Sequence, residues 1–168
     1  MSDRKQLVET RTRTPEQDLL RARQQALSGL VATPHRMESV AVLNEVQYVN
    51  DSRATFLDAT LESFAAFEER VVWISGAWSD DMAEGHMQEL LKERISAVVL
   101  FGAAHDVAEN GDAVQVFAAD NVRMAVFLAR ELAKPGEVVL FSPACPSGNG
   151  FANYEERGAE FKRAVKDL

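Results

Sequence analysis

The sequence predicts an α/β fold: a mainly parallel sheet flanked by helices, preceded by an N-terminal β-hairpin and a helical arm. The first observation is that short apolar segments alternate with helical stretches from residue 71 onwards, which is typical of right-handed βαβ crossovers. The second is composition, since 46% hydrophobic and 26% charged residues are ordinary values for a globular protein. A length of 168 residues suits one domain with a substantial core.

The chain begins with an arm, residues 1–33, in which one helix is expected at about 15–29. Thr14 supplies a hydroxyl N-cap and Pro15 suits the first helical position. Apolar residues recur at helical spacing between 19 and 30, so one stripe of this helix is expected to pack against another surface.

The second unit is expected at residues 34–168 and opens with a β-hairpin. Apolar-rich segments at 39–43 and 46–49 flank Asn44-Glu45, which is the spacing of a two-residue hairpin turn. Glu45 is a poorer residue for such a turn than glycine.

The remaining elements alternate between strands and helices. The strand candidates are Val71 to Ser75, Ala97 to Phe101, Ala113 to Phe117 and Val138 to Phe141. The helical stretches are 54–69, 80–93, 119–133 and 153–166. We therefore expect a Rossmann-like sheet covered on both faces.

Composition also narrows the function. A formal net charge of -8 opposes binding to nucleic acid or an anionic membrane, because both require Lys and Arg to neutralise phosphates. The charged N-terminus lacks a signal-peptide core and no apolar run is long enough to span a bilayer, so we expect a cytoplasmic protein. The single Cys145 and the dispersed His35, His86 and His105 predict neither an internal disulfide nor a metal site.

Three segments at predicted strand ends are candidates for ligand binding, because open α/β sheets bind ligands beyond the carboxyl ends of their strands. They are 50–55, 75–81 and 142–158. In the first, Asp51 or Ser52 is a candidate helix cap. In the last, a loop with two prolines and two glycines could present Ser147 and backbone NH groups to a carboxylate. Taken singly, each segment equally fits an ordinary capped helix or loop.

Read together, several motifs resemble the C-terminal domain of the Mur-type peptide ligases, and their order and spacing are most similar to the D-glutamate-adding branch. The motifs are Pro34-His35-Arg36-Met37-Glu38, Asn50-Asp51-Ser52-Arg53-Ala54-Thr55, Ser142-Pro143-Ala144-Cys145, and Asn153-Tyr154-Glu155-Glu156-Arg157-Gly158 continuing to Phe161. The resemblance runs from about residue 26 to residue 168.

The resemblance implies a domain that carries the incoming amino acid and closes on ATP in an amide ligase. It places Arg36 and Asp51 where the family contacts the nucleotide, and it assigns no catalytic residue to this domain. The residues it places at D-glutamate are Thr55, Ser147, Gly148 and Tyr154. ATP with Mg is implied as cofactor by resemblance only, and we expect neither to be bound independently.

The chain departs from the family pattern at several positions. Arg53 stands where the family usually has lysine, and Phe56 where it has asparagine. Ala77 replaces a glycine in the loop after the Val71 strand, and Asp80 falls at about the place of a lysine that pairs with the acceptor carboxylate. The sequence contains no Gly-x-x-x-x-Gly-Lys-Ser/Thr phosphate loop.

These observations favour a stand-alone ligand-binding or regulatory module related to the peptidoglycan-precursor ligases and not a complete ligase. One alternative is an acceptor-binding subunit acting in trans with a separate ATPase or UDP-sugar-binding partner chain. Another is a structural protein that uses the stripe at 19–30 as a docking helix. The expected small-molecule partners are an amino acid or a nucleotide, with no nucleic acid and no membrane.

Overall fold

The computed structural model describes residues 33–76, 85–102, 114–148 and 150–168, and Thr33–Leu168 forms one compact unit. The helix predicted at 15–29 lies outside the described residues, as do Ala77 and Asp80. The strands are β1 Glu38–Leu43, β2 Val46–Asn50, β3 Val71–Ser75, β4 Ile95–Phe101, β5 Val116–Ala119 and β6 Val138–Phe141. The helices are α1 Leu57–Phe64, α2 Gly85–Arg94, α3 Val122–Leu132 and α4 Tyr154–Lys166.

The described strands form one six-stranded sheet in the order β1-β2-β6-β3-β4-β5. Only β1 runs antiparallel to its neighbour, and the other four pairings are parallel. The predicted α/β fold with a mainly parallel sheet is therefore confirmed. The chain passes from β3 to β4 on one side and later returns to β6 on the other side of β3, so the strand order reverses between β3 and β6. Ligands in open α/β sheets bind beside such a reversal.

The predicted hairpin is confirmed, and its turn shows how the sequence forms it. Asn44 and Glu45 both have positive φ values, 50° and 64°, as a type I′ turn requires. Asparagine tolerates this left-handed conformation, whereas glutamate adopts it at some steric cost. Leu43 and Val46 pair directly across the turn.

Helices cover both faces of the sheet. Helices α3 and α4 pack on one face, where Ala125, Val126 and Phe161 are fully buried. The opposite face is covered by Phe64 and Phe67, at and just after the end of α1, and by Leu91 of α2. This two-sided burial explains why β3, β4 and β6 are nearly continuous apolar runs. None of the described helices is long and apolar enough to cross a membrane.

Helix α1 corrects two expectations. It runs only from Leu57 to Phe64, not over 54–69, and neither Asp51 nor Ser52 caps it. The N-cap is Phe56, which is extended and makes no side-chain capping bond. Residues 54–56 are held out of the helix because the amide of Ala144 donates to the carbonyl of Ala54 at 3.1 Å.

The edge strand β5, next to β4, also has different bounds from those expected. We expected Ala113 to Phe117, but β5 is Val116–Ala119, and Ala113 lies outside the described residues. Val116 pairs with Val98, which sets the register on β4. The strand ends at Ala119 because Asn121 then caps α3, its side chain accepting from the amide of Met124.

Candidate functional site

The loop after β2 carries a carboxylate that the fold removes from water. Asp51 is only 2% exposed, and its amide donates to the carbonyl of Phe141 at the end of neighbouring β6. Its Oδ2 accepts hydrogen bonds from Ser63 Oγ at 2.7 Å and Ser142 Oγ at 2.9 Å. Its Oδ1 accepts from the amide of Met37 at 3.2 Å. Three segments distant in the sequence therefore converge on one carboxyl group.

Burial raises the pKa of Asp51 because desolvation disfavours the ionised form. The hydrogen bonds from Ser63, Ser142 and the Met37 amide oppose that rise, and so does the charge of Arg36. No described cationic side chain forms an ion pair with this carboxylate. Hydroxyl and amide dipoles thus replace a counter-ion around Asp51.

The loop after β6 is held by a buried guanidinium from helix α4. Arg157 is 1% exposed and donates to three backbone carbonyls: Ser52 at 3.0 Å, Cys145 at 3.2 Å and Pro146 at 3.1 Å. The first carbonyl belongs to the loop after β2 and the other two to the loop after β6. Arg157 is therefore a clasp that joins the two loops.

The chemistry of this clasp is unusual because its partners are neutral. No described carboxylate lies within ion-pair distance of Arg157, and its Nε has no hydrogen-bond partner among the described residues. Burial lowers the pKa of Arg157, and the nearby Cys145 opposes that change. Burial likewise raises the pKa of the Cys145 thiol. The structure thus supports a partly buried, un-ionised Cys145 and not an activated nucleophile.

A turn formed by residues 33–38 completes the site. His35 and Met37 have positive φ values of 66° and 48°, and Ala144 in the loop after β6 has 55°. Left-handed conformations cost non-glycine residues free energy and often occur at binding sites. The carbonyl of His35 accepts from the amide of Arg53 at 3.1 Å, which attaches this turn to the loop after β2.

The predicted site residues differ in exposure. Arg36 and Gly148 are exposed, whereas Thr55, Ser147 and Tyr154 are partly buried. Asp51 is buried with its hydrogen bonds already in place.

The segments that carry these residues do meet. Residues 50–55 and 142–148 follow adjacent parallel strands and are joined at Asp51–Phe141, Ala54–Ala144 and through Arg157. Tyr154 lies edge-on to His35, with ring centroids 6.1 Å apart. The ligand contacts of these residues stay predictions.

Sequence reasoning missed Arg157, His35 and Ser63 as members of the site. A signal for Arg157 was available, because it lies four residues before the buried Phe161 and seven before the buried Ala164 on one face of α4. An arginine on an apolar helix face requires buried acceptors. Ser63 carried no such signal, because its role depends on a contact across 12 residues of chain.

Comparison with known proteins identifies the family. The family model described as "Mur ligase, glutamate ligase domain" matches residues 35–145. The chain therefore belongs to the Mur ligase family, as the sequence motifs predicted.

Its curated relatives include UDP-N-acetylmuramoylalanine--D-glutamate ligases. The enzyme from Salinibacter ruber is 35% identical over 96% of this chain, and that from Desulfosudis oleivorans is 40% identical over 86%. The chain spans about a third of the length of these relatives, 35% and 32% respectively.

A solved structure shows the same fold. The MurF ligase from Thermotoga maritima, determined in complex with ADP, covers 89% of this chain with a TM-score of 0.52 and 20% sequence identity. This chain covers 37% of that protein.

Among the described residues, Arg36 is exposed and its guanidinium is open to solvent. Its contact with a nucleotide stays a prediction from the resemblance. Asp51 is less suited to contact a nucleotide directly, because its oxygens already accept three hydrogen bonds within the domain. No group of three His, Cys, Asp or Glu side chains in the described part of the chain could hold a metal.

Proposed function

We propose that this domain is a ligand-binding or regulatory module of the Mur ligase family that takes the incoming amino acid, with D-glutamate as first candidate. The observation that supports it most is the junction of the loops after β2 and β6, which carry Thr55 and Ser147. The curated relatives are named as D-glutamate ligases, and their acceptor is the reason for choosing this amino acid.

The site suits a small anion held by neutral donors. Ser147 and exposed Gly148 precede helix α4, whose N-cap Asn153 accepts from the amide of Glu156 at 2.8 Å. Hydroxyl and backbone NH groups near a helix start favour a carboxylate. In this proposal Arg36 contacts the phosphates of a nucleotide at the edge of the site. Complete ATP hydrolysis is not proposed for this chain by itself, because its sequence has no phosphate loop. We place this function in the cytoplasm.

Calorimetric titration tests the proposal. D-glutamate, ATP with Mg, and their mixture are titrated into wild type, Ser147→Ala and Ser96→Ala. Ser96 lies at the opposite, amino end of β4 and donates to the Val71 carbonyl, so it is the matched control. Binding of D-glutamate that Ser147→Ala weakens and Ser96→Ala preserves supports the proposal. No heat with any ligand in wild type, with native circular dichroism, refutes it.

Asp80, which lies outside the described residues, gives a second test from sequence. A carboxylate where the family has lysine repels an acceptor with two carboxylates, and a close charge pair near a protein surface is worth on the order of 4 kcal/mol before solvent screening reduces it. Asp80→Lys is expected to strengthen D-glutamate binding, with a gain that shrinks as salt is added. Asp81→Lys is the matched control. Tight wild-type binding that Asp80→Lys leaves unchanged contradicts the alignment of this loop.

A second candidate is an acceptor-binding subunit that works in trans. Phe56 favours it, because this large apolar side chain is 60% exposed directly after Thr55 and is suited to contact another protein surface. Mixing the domain with the part of the Salinibacter ruber ligase that it does not cover, made as a separate chain, should yield D-glutamate-dependent ADP release. Phe56→Asn should reduce that release if Phe56 lies at the contact.

A further inference from the structure

The side chain of His35 adds a further contact to the turn that carries Arg36, which the Arg53 amide–His35 carbonyl and Met37 amide–Asp51 bonds already join to the loop after β2. Asn50 Nδ2 lies 3.1 Å and Ser52 Oγ 3.3 Å from His35 Nδ1. The orientation of the Asn50 amide is fixed by its other bonds, since its Oδ1 accepts from the Ser52 amide at 3.2 Å and its Nδ2 donates to Glu38 Oε2 at 3.0 Å. An amide nitrogen only donates, so His35 Nδ1 must accept, and the ring is neutral with its proton on Nε2.

Helix α4 packs against the same nitrogen. Gly158 leaves no room for a side chain there, because a Cβ at this position would overlap His35 Nδ1 and Ser52 Oγ and lie 3.0 Å from Asn50 Nδ2. One turn earlier, Tyr154 meets the His35 ring edge-on. Glycine inside a helix costs about 1 kcal/mol relative to alanine, so this close approach is a reason for its presence.

Charged groups from two elements face the imidazole. Lys162 of α4 pairs with Glu38 of β1 at 3.0 Å, and Glu38 also accepts from the His35 amide at 3.0 Å. Burial is the main cause that lowers the pKa of His35, and the charge of Lys162 adds to it. Glu38 and Glu155 oppose this change.

Protonation would reverse the central contact. Both ring nitrogens of an imidazolium donate, so an Nδ1–H would point at the Asn50 amide hydrogens. The Ser52 hydroxyl can rotate to accept, whereas the Asn50 amide is held by Ser52 and Glu38. The turn would therefore have to move away from the loop after β2 and from α4.

We propose that His35 is a positioning residue whose neutral imidazole keeps Arg36 at a fixed position relative to Tyr154. Arg36 lies at the predicted nucleotide side of the site and Tyr154 at the predicted amino-acid side. Arg36 is the next residue in the turn and Tyr154 touches the ring, so the His35 side chain contacts both sides, and its Nδ1 acceptor sets the position of the ring. The two sides keep their relative position only while the ring is unprotonated. The ligand part of this inference rests on the proposed function, whereas its structural part does not.

The matched variants are His35→Asn and His35→Leu. Asparagine places an acceptor oxygen near the Nδ1 position, tolerates the positive φ of 66° and does not titrate. Leucine removes the acceptor and leaves one N–H of the Asn50 amide without its partner, while the bonds of Asn50 to Glu38 and Ser52 remain. Both variants lose the ring contact with Tyr154, so the backbone amide resonances of Arg36 and Arg53 are compared instead. His35→Asn should keep them close to wild type at pH 7.5, and His35→Leu should shift them.

Nuclear magnetic resonance of the wild-type chain provides the first readout. The ring nitrogens of His35 should report the Nε2-protonated neutral form at pH 7.5, and the Tyr154 resonances should move as His35 titrates with a pKa below the ordinary histidine value of 6.5. In His35→Asn the Tyr154 resonances should not follow pH in this range. A proton on Nδ1 at pH 7.5, or a Tyr154 signal that ignores the titration, overturns the inference.

Stability provides the second readout, and its sign follows from the lowered pKa. A folded-state pKa below the unfolded value of 6.5 gives stability that is complete above pH 6.5 and lost as the pH falls through the folded-state pKa. The difference between wild type and His35→Asn isolates this contribution, since the two chains are identical at every other position. A difference that is constant over this range overturns the inference.

Ligand binding provides the third readout and separates the two proposals. D-glutamate should bind wild type about fivefold more weakly once His35 is protonated, while its affinity for His35→Asn stays level with pH. If D-glutamate does not bind at pH 7.5, the proposed function fails, but resonance and stability data still decide the role of His35. If it binds and both chains show the same pH profile, the positioning role fails and the proposed function stands.

Discussion

Replacing Arg157 by methionine should destabilise this domain more than any surface change. Methionine keeps much of the buried stem but removes the donors for the carbonyls of Ser52, Cys145 and Pro146. Leaving a buried acceptor unpaired costs about 1–3 kcal/mol, and roughly 9 kcal/mol is an upper bound that three fully buried carbonyls would give. Only the bond to Ser52 is fully buried, so the loss should be smaller. Removing a buried guanidinium also relieves its desolvation, which brings the expected loss to about 3–5 kcal/mol.

Urea unfolding followed by circular dichroism measures this loss, and Arg163→Met is the matched control. Arg163 lies on the same helix, but its side chain is 63% exposed and, among the described residues, forms an ion pair with Glu160 of the same helix alone. Such a pair contributes less than about 1 kcal/mol. Arg157→Lys should give an intermediate loss, because one ammonium group cannot span both loops. If the free energies of unfolding of Arg157→Met and Arg163→Met differ by less than about 1 kcal/mol, Arg157 does not hold the two loops together.

Three further changes test other parts of the structure. In urea unfolding, the stability of Asp51→Asn relative to wild type should rise as the pH rises from 3.8 through the raised folded-state pKa of Asp51, because the unfolded chain releases this proton first; a flat difference would contradict this. Gly158→Ala should lower the melting temperature, because overpacking against His35 costs about 1–3 kcal/mol of stability, although alanine is the better helix former. A higher melting temperature would show that His35 and Ser52 can move aside for the new methyl group. Glu45→Gly should stabilise the hairpin turn by up to about 1 kcal/mol through relief of its positive φ, and unchanged urea midpoints would count against that strain.

Most of the fold could be predicted because its sheet is buried on both faces. Apolar runs such as Val71 to Ser75 stand out from the charged helices around them, and the parallel order follows from alternation. The failures are at boundaries. The start of α1 depends on a hydrogen bond between Ala144 and Ala54, 90 residues apart, which no local pattern encodes.

The candidate site was only partly accessible to sequence reasoning. Motifs placed Asp51 and Ser147 on loops after strands, and parallel topology brought those loops together. What the motifs could not show is how each loop is held. The acceptor state of His35 Nδ1 depends on the orientation of the Asn50 amide, and the burial of Arg157 depends on three carbonyl oxygens. Such contacts come from tertiary packing.

The distribution of costly features supports a binding site at these loops over a role in the core alone. Asp51 and Arg157 are buried ions that do not pair with each other among the described contacts, and His35, Met37 and Ala144 adopt strained backbone conformations. A neutral side chain could fill either buried position with less desolvation, and glycine would relieve each positive φ. The positive φ values of Asn44 and Glu45 are explained by the type I′ hairpin turn, whereas these five features lie at the carboxyl ends of β2 and β6 or on the turn and helix that touch them. Natural proteins tolerate such local cost mainly where a ligand requires a fixed geometry.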